Sequence, residues 1–241
     1  MTALLVAAAL LAPSPFVALE DVAPGILHDM RYATRHNFVG RRIDGYREPV
    51  CILTRRAARG LKRAQAAVRR KGYTLKVYDC YRPQRAVDHF ARWAARGPNR
   101  TKREFYPHLD KRRLFDLGYI AHRSAHSRGG TVDLTLVRLP PRRQPEWSPM
   151  ELVPCTAPRR RRFRDNSVDM GTGYDCFDAR AHTFDSRIRG RARRNRLLLK
   201  RTMEAAGFEY YANEWWHFTL RRERYPSRAF DFPVSRRVLR R

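Results

Sequence analysis

The sequence predicts a single α+β domain with a mostly antiparallel sheet flanked by helices, and three observations lead to this fold class. The 241 residues, 43% of them hydrophobic and 11% aromatic, suffice to bury the core of one sizeable domain. The predicted strands and helices follow one another without the regular β-α-β alternation of a parallel sheet. The chain also shows no internal repeat, which argues against a repeat architecture.

The first helix and the strand after it follow from hydrophobic spacing. Thr54 can cap a helix, and Gly72 can end it. Between these two residues, apolar side chains recur at intervals of three and four: Ala57, Ala58, Leu61, Ala64 and Val68. Tyr73–Asp79 then alternates as a strand does, with Leu75 on one face and Lys76 on the other.

A second helix is predicted after the turn at Cys80–Arg82, because Pro83 fits a first helical turn and Gly97 lies beyond the apolar pattern. The Pro- and Arg-rich stretch 138–168 is predicted to be an extended loop. The remaining elements are a strand at Thr131–Val137, a helix at about 191–206, and a final pair of strands around Phe208–Tyr211 and Trp215–Leu220.

Residues 1–20 are predicted to precede the domain, which would span residues 21–241. Ala3–Ala12 is an apolar run of signal-peptide length, although neither Met1 nor Thr2 is basic and no clean A-x-A site follows. The alternative is a short buried helix or a frayed terminus. We favour export, hence a periplasmic or secreted protein rather than a cytoplasmic one. Because no eighteen consecutive residues are apolar, a polytopic membrane protein is excluded and the mature chain should have no transmembrane span.

The four cysteines form no C-x-x-C pair, which argues against a cysteine zinc site. In an exported chain they allow three pairings, of which we favour Cys51–Cys80 with Cys155–Cys176. In a cytosolic protein all four would instead be small core residues.

The chain is strongly basic, with 51 Lys and Arg against 23 Asp and Glu and a formal net charge of +28. Such an excess attracts nucleic acid, anionic lipid surfaces or anionic cell-wall polymers. However, all but six of the basic residues are arginine, and they occupy ordinary helix faces and loops rather than a platform interleaved with aromatics. We therefore expect no specific nucleic-acid partner, and an electrostatic association with an anionic cell wall is a hypothesis only.

Two clusters of histidine and carboxylate residues are the candidates for a metal site and for catalysis. His126 and Asp133 lie seven residues apart across two glycines, and Glu214 precedes His217 in a Glu-Trp-Trp-His stretch. A zinc ion held by the two histidines and Asp133 would keep an open position for water, as catalytic sites do. Glu214 could accept the proton of that water. Because residues three apart on an ideal strand face opposite sides, we expect Glu214 to lie in a bend where its strand begins.

These clusters belong to a larger pattern that resembles the M15 zinc peptidases, and within them the D-alanyl-D-alanine dipeptidases. The pattern is S-x-H-x-x-G-x-x-x-D followed far downstream by E-x-x-H. The matching segments, in order, are Tyr32–Thr34, Asn37–Phe38, Asp79–Pro83, Ser124–Leu136, Glu151–Pro154, Gly171–Asp175, Phe177–Asp178, Glu214–His217 and Phe230–Pro233. The resemblance implies an M15-type fold, one zinc ion per chain bound by His126, Asp133 and His217, and hydrolysis of the D-Ala-D-Ala dipeptide, with Glu214 as general base and then acid.

The resemblance also implies how the substrate is held. Arg82 would stabilise the oxyanion of the tetrahedral intermediate, with Asp79 orienting it. Asp175, helped by Tyr32 and Ser124, would pair with the free ammonium of the dipeptide. An acylated nitrogen would leave that carboxylate unsatisfied.

Two alternatives stay open from the sequence. One is another M15 activity, a D,D-carboxypeptidase or a peptidoglycan endopeptidase, for which Asp175 would hardly matter. The other is a polyanion-binding protein whose zinc site is only structural, for which replacing Glu214 would cost no activity.

Overall fold

The computed structural model describes residues 12, 13 and 15–239 of the chain. Its strands are β1 (Phe16–Ala18), β2 (Leu27–His28), β3 (Ile52–Thr54), β4 (Tyr73–Asp79), β5 (Thr131–Arg138), β6 (Phe208–Tyr211) and β7 (Glu214–Leu220). Its helices are α1 (Arg55–Arg69), α2 (Gln84–Arg96), α3 (Lys102–Phe105) and α4 (Gly190–Ala205).

A five-stranded sheet in the order β2-β4-β5-β7-β6 forms the centre of the fold. Strand β2 runs parallel to β4, and the other neighbouring strands are antiparallel. Strands β1 and β3 form a separate two-stranded antiparallel ribbon. The predicted α+β class with a mostly antiparallel sheet is therefore confirmed.

Helix α1 and strand β4 form where the hydrophobic spacing predicts them. The helix buries the apolar face that includes Leu61 and Val68, and that face packs against β4 and α4. The turn into β4 uses Gly72 at a φ of +76°, a left-handed conformation that costs glycine little.

The face of β4 opposite Leu75 is also covered, which the alternation alone does not indicate. Lys76 is only 2% exposed, and its Nζ lies 3.2 Å from Oδ1 of Asp165 and 3.5 Å from Oδ2 of Asp29. The long segment after β5 brings Asp165 over this face, so β4 is covered on both sides.

That segment, residues 139–189, contains no strand and no α-helix, as predicted for its first part. The predicted loop begins one residue early, since Arg138 ends β5. A disulfide between Cys155 and Cys176 fixes the segment internally, and a second disulfide joins Cys51 to Cys80. Both pairings are those favoured from the sequence. No described helix is long and apolar enough to cross a membrane.

The folded domain begins earlier than the predicted boundary at residue 21. Strand β1 pairs with β3, and Phe16 packs its ring against Phe230 and Phe232 at centroid distances of 5.2 and 5.0 Å. Leu19 is fully buried. Residues 16–19 are therefore part of the core because their apolar side chains are buried in it, whereas residues 1–11 of the predicted apolar segment lie outside the described residues.

Candidate metal centre and active site

The register of the central sheet brings three polar residues into one row. Asp79 on β4 pairs with Asp133 on β5, and Asp133 pairs with His217 on β7. His126 joins the row from a 3-10 turn, Ala125–Arg128, that precedes β5. Gly129 ends this turn at a φ of +78°, and a Cβ there would lie 2.1 Å from the Phe16 ring, so the turn requires glycine.

Three donor atoms meet at nearly equal distances. Nε2 of His126 lies 3.2 Å from Oδ1 of Asp133 and 3.3 Å from Nδ1 of His217, and the Asp133 and His217 atoms are 3.2 Å apart. Around a tetrahedral zinc ion, donors at the usual bond lengths are separated by about 3.3 Å. The three predicted ligands are thus arranged as one face of a tetrahedron that could hold a divalent metal ion.

The surroundings of these atoms fit a metal. Oδ1 of Asp133 is buried and has no hydrogen-bond partner among the described residues, which is costly unless a cation occupies the site. Nδ1 of His126 donates to the carbonyl oxygen of Cys80 at 2.7 Å, so Nε2 carries the lone pair that a metal needs. The hydroxyl of Tyr174 donates to Oδ2 of Asp133 at 3.0 Å.

The protonation states suit metal binding as well. Burial opposes ionisation of Asp133, but His126 and His217 outweigh it and hold the pKa of Asp133 well below its usual range. Burial lowers the pKa of His217, which keeps the imidazole neutral. Three protein ligands are typical of catalytic zinc sites, whereas structural sites have four.

Glu214 is the first residue of β7, where pairing with β6 shifts register between Tyr210 and Tyr211. This irregularity is the bend predicted from the three-residue spacing to His217. Oε2 of Glu214 lies 3.6 Å from Nδ1 of His217. Burial raises the pKa of Glu214 well above its usual value, and the nearby Asp133 and Asp175 raise it further. A carboxyl group with a raised pKa beside a metal site can act as a proton acceptor and donor.

Arg82 faces the same centre and is held rigidly. Its Nε and Nη2 both donate to Oδ2 of Asp79 at 2.9 Å, and Oδ1 of Asp79 accepts from the Tyr46 hydroxyl at 2.6 Å. Nη2 of Arg82 is 3.7 Å from Oδ2 of Asp133. The guanidinium group also lies over the Tyr32 ring, 5.0 Å from its centroid. Asp79 therefore orients Arg82 as expected.

Asp175 and Tyr32 contact each other in the wall of the same cavity. The Tyr32 hydroxyl donates to Oδ2 of Asp175 at 3.0 Å. Burial raises the pKa of Asp175 to about 8, with a further contribution from the charge of Asp133. Asp175 adopts a φ of +54°, which is uncommon for a residue other than glycine.

Ser124 lines the same cavity, but its hydroxyl oxygen accepts from Nη1 of Arg82 at 3.4 Å and from the His126 amide at 3.3 Å. Its described hydrogen bonds therefore join it to Arg82 and the ligand turn rather than to Asp175. The cavity has a volume of about 450 Å³, a size suited to a small ligand, and all eight predicted site residues line it: Tyr32, Arg82, Ser124, His126, Asp133, Asp175, Glu214 and His217.

The sequence reasoning missed three groups that support the site: the Tyr46 hydroxyl, the Tyr174 hydroxyl and the Cys80 carbonyl. Tyr46 lies in none of the segments that carry the family resemblance, whereas Cys80 and Tyr174 lie in two of them, Asp79–Pro83 and Gly171–Asp175. Membership in these segments is the sequence signal that could have found the last two.

The site combines three side chains able to bind a metal ion with a carboxyl group and a guanidinium beside them. This arrangement, in a cavity of an α+β domain, is typical of a metal-dependent hydrolase. Comparison with known proteins identifies the family to which the chain belongs. The M15 peptidase family model, described as D-Ala-D-Ala dipeptidase, matches residues 13–141 and 159–235. The chain therefore belongs to the M15 peptidase family. The match omits residues 142–158, including the Glu151–Pro154 segment that was counted as part of the resemblance.

Curated relatives of the chain align with it over most of their length. The D-alanyl-D-alanine dipeptidase of Streptomyces coelicolor is 40% identical over 222 residues, and that of Enterococcus faecium is 39% identical over 221 residues. Each alignment covers 91% of this chain and 98% of the relative. The D-alanyl-D-alanine dipeptidase of Escherichia coli is 30% identical over 85% of this chain and 83% of the relative.

Proposed function

We propose that this protein is a zinc-dependent dipeptidase that hydrolyses D-Ala-D-Ala to two molecules of D-alanine. The observation that carries the proposal is the convergence of His126, Asp133 and His217 on one point, with Glu214 beside them. The relatives from Enterococcus faecium and Streptomyces coelicolor, which bear the name of this activity, support the choice of substrate.

His126, Asp133 and His217 would hold the zinc ion, which supplies a Lewis acid that lowers the pKa of water and polarises the scissile carbonyl. Glu214 would take the proton from the attacking water and then deliver it to the leaving amine. The raised pKa of Glu214, caused first by burial, favours this exchange because the group can hold the proton between the two steps.

Arg82 would stabilise the negative charge that develops on the carbonyl oxygen in the transition state. Its two donor bonds to Asp79 fix the guanidinium before substrate arrives, so little reorganisation is needed during the reaction. Its hydrogen bond to Ser124 is long, at 3.4 Å, and would be exchanged for one to a substrate oxygen.

Asp175 would bind the free ammonium group of the dipeptide, with Tyr32 holding one carboxylate oxygen and Ser124 lining the same cavity. An ionised carboxylate that is buried without a partner is costly, and the ammonium of the dipeptide would supply the opposite charge that relieves this cost. An N-acylated peptide has no ammonium group to pair with Asp175. A peptide extended at its amino end has one, but it would lie too far from Asp175 when the scissile bond is at the metal centre. This selectivity distinguishes a dipeptidase from a D,D-carboxypeptidase or an endopeptidase of the same family.

The test is the Glu214→Gln variant, assayed for release of D-alanine from D-Ala-D-Ala and for zinc content. We expect hydrolysis to fall by about 10²–10⁴-fold, the usual contribution of a general base, with one zinc ion per chain retained. Glu146→Gln, at an exposed glutamate, is the matched control and should keep full activity. Undiminished turnover by Glu214→Gln would refute the proposal. A polyanion-binding protein with a structural zinc site would show that outcome, but it does not account for membership in a peptidase family.

We also propose that the protein is exported and associates with anionic wall polymers. The two disulfides support export, because disulfides persist in oxidising compartments, and the net charge of +28 supports the association. Fractionation of expressing cells tests both: the protein should be periplasmic or secreted, and salt should release it from purified walls. Recovery only in the cytoplasm contradicts export, and salt-independent partitioning contradicts the association.

A further inference from the structure

A second and larger cavity lies under the segment that follows β5. Its volume is about 840 Å³, and it shares no lining residue with the cavity of the metal centre. Several residues of its wall fall within 142–158, between the two stretches that match the family model. None of the eight residues that the family resemblance assigns to the site lines this cavity.

The floor of this cavity is apolar and aromatic. Tyr78 and Tyr174 stack with their ring centroids 4.3 Å apart, and Met170 and Trp215 are both almost completely buried. All four side chains line the cavity. A floor of this kind favours a ligand with an apolar or aromatic body.

The rim, in contrast, is basic. Arg142, Arg143, Arg160 and Arg164 line the opening and are exposed. No ion pair or side-chain hydrogen bond joins any of these four guanidinium groups to another described residue. They are free to bind an anion, and guanidinium groups pair with phosphate or carboxylate oxygens in a bidentate way.

The acidic residues of the wall do not neutralise this rim, because both already have partners. Glu104 bonds His36 and the indole nitrogen of Trp147. Asp165 lies within 3.2 Å of both Arg31 and Lys76. The positive charge at the opening is thus uncompensated by the cavity itself.

A buried donor in the wall points to the same kind of ligand. Arg162 is 9% exposed and lines the cavity. Its Nη2 donates to Asp169 at 2.6 Å, but its buried Nε has no hydrogen-bond partner among the described residues. An unpaired charged donor is costly inside a protein, and an anion in the cavity would relieve part of that cost.

We propose that this cavity is a binding site for a small organic anion that carries a phosphate or carboxylate group on an apolar body. The rim arginines would hold the anionic group, and the aromatic floor would hold the body. The proposed site is separate from the metal centre in that the two cavities share no lining residue. Tyr174 connects them, because it lines this cavity while its hydroxyl donates to Asp133.

The experiment is a calorimetric titration of the zinc-loaded protein with 2-naphthyl phosphate, compared with 2-naphthol and inorganic phosphate. We expect one molecule of 2-naphthyl phosphate to bind saturably. The affinities for 2-naphthol, which lacks the charge, and for inorganic phosphate, which lacks the apolar body, should each be at least tenfold lower. Arg142→Gln/Arg143→Gln should weaken binding tenfold or more. Arg55→Gln/Arg56→Gln, which removes the same charge from exposed positions of α1, should change it less than twofold.

Three results would overturn the inference. Equal weakening by the two double variants would mean general electrostatic attraction, and equal binding of 2-naphthol would mean that the arginines play no part. Competitive inhibition of dipeptide hydrolysis with a constant equal to the measured Kd would place the ligand at the metal centre instead. The Arg142→Gln/Arg143→Gln variant should hydrolyse D-Ala-D-Ala normally, which shows that it is folded.

Discussion

Replacing Asp175 by asparagine tests how the proposed dipeptidase recognises a free amino terminus. The side chain keeps its size, and asparagine tolerates the φ of +54° as well as aspartate does, so the fold should be retained. The hydrogen bond from the Tyr32 hydroxyl can still be accepted by the amide oxygen. The change therefore removes one negative charge and little else.

The structure sets the scale of the effect. Asp175 is 4% exposed, and its one side-chain hydrogen bond among the described residues is at Oδ2, which leaves Oδ1 for the ammonium. Removing one partner of such a desolvated charge pair costs about 2–5 kcal/mol. We therefore expect kcat/KM for D-Ala-D-Ala to fall by about 30- to 5,000-fold.

The assay compares D-Ala-D-Ala with N-acetyl-D-Ala-D-Ala, using the wild-type protein, Asp175→Asn and the exposed control Asp116→Asn. The loss should be confined to the free dipeptide, because the acetylated substrate makes no ion pair to lose, and the control should behave as wild type. If Asp175→Asn hydrolyses the free dipeptide within threefold of wild type, the carboxylate does not bind the ammonium. The carboxypeptidase or endopeptidase alternative would then be preferred.

Three further predictions concern the metal centre and the fold. Tyr174→Phe removes the hydroxyl that holds Asp133 and should weaken zinc binding by about 10- to 100-fold in a chelator competition; unchanged affinity would contradict the orienting role. Cys51→Ala/Cys80→Ala opens a disulfide with a sequence separation of 29 and should lower the free energy of unfolding by about 3–4 kcal/mol, measured in denaturant, whereas an unshifted midpoint would show that the bridge adds no stability. Because burial and the charge of Asp133 raise the pKa of Asp175 to about 8 in the folded state, this group stabilises the metal-free protein below about pH 4 and loses that contribution as the pH rises through about 8. Asp175→Asn should lack this decline, and identical pH profiles of unfolding would refute the argument.

The sequence predicted the regular elements to within a residue or two where a repeating pattern existed. The apolar spacing of α1 and the alternation in β4 both depend on neighbours within one element, so they can be read locally. Strand β2 was missed because two residues carry no periodicity. Strand β1 was assigned to an apolar leader because signal peptides and buried strands have the same composition over a few residues. Only pairing with β3, nearly 40 residues away, distinguishes them.

The candidate site shows the same difference between residues that belong to a local motif and residues that are placed by contacts distant in sequence. His126, Asp133, Glu214 and His217 were found because each belongs to a short motif whose spacing is set by one loop or one strand. Tyr46 was not found because it meets Asp79 through a contact between residues 33 positions apart. Such support is a property of tertiary packing, and residue type alone gives no sign of it.

The charges of the site connect its stability to its chemistry. Four buried carboxyl groups, Asp79, Asp133, Asp175 and Glu214, lie around the buried guanidinium of Arg82, so full ionisation of these five described side chains leaves a net charge of about −3. Burial, together with mutual repulsion, raises the pKa values of three of these groups, all except Asp133, which favours their protonated forms in the metal-free site. A zinc ion and a substrate ammonium carry three positive charges between them and would displace those protons. In this strongly basic protein the proposed site is thus a local concentration of carboxyl groups, and the same cluster whose burial is costly without a cation would give the metal and the substrate ammonium their affinity.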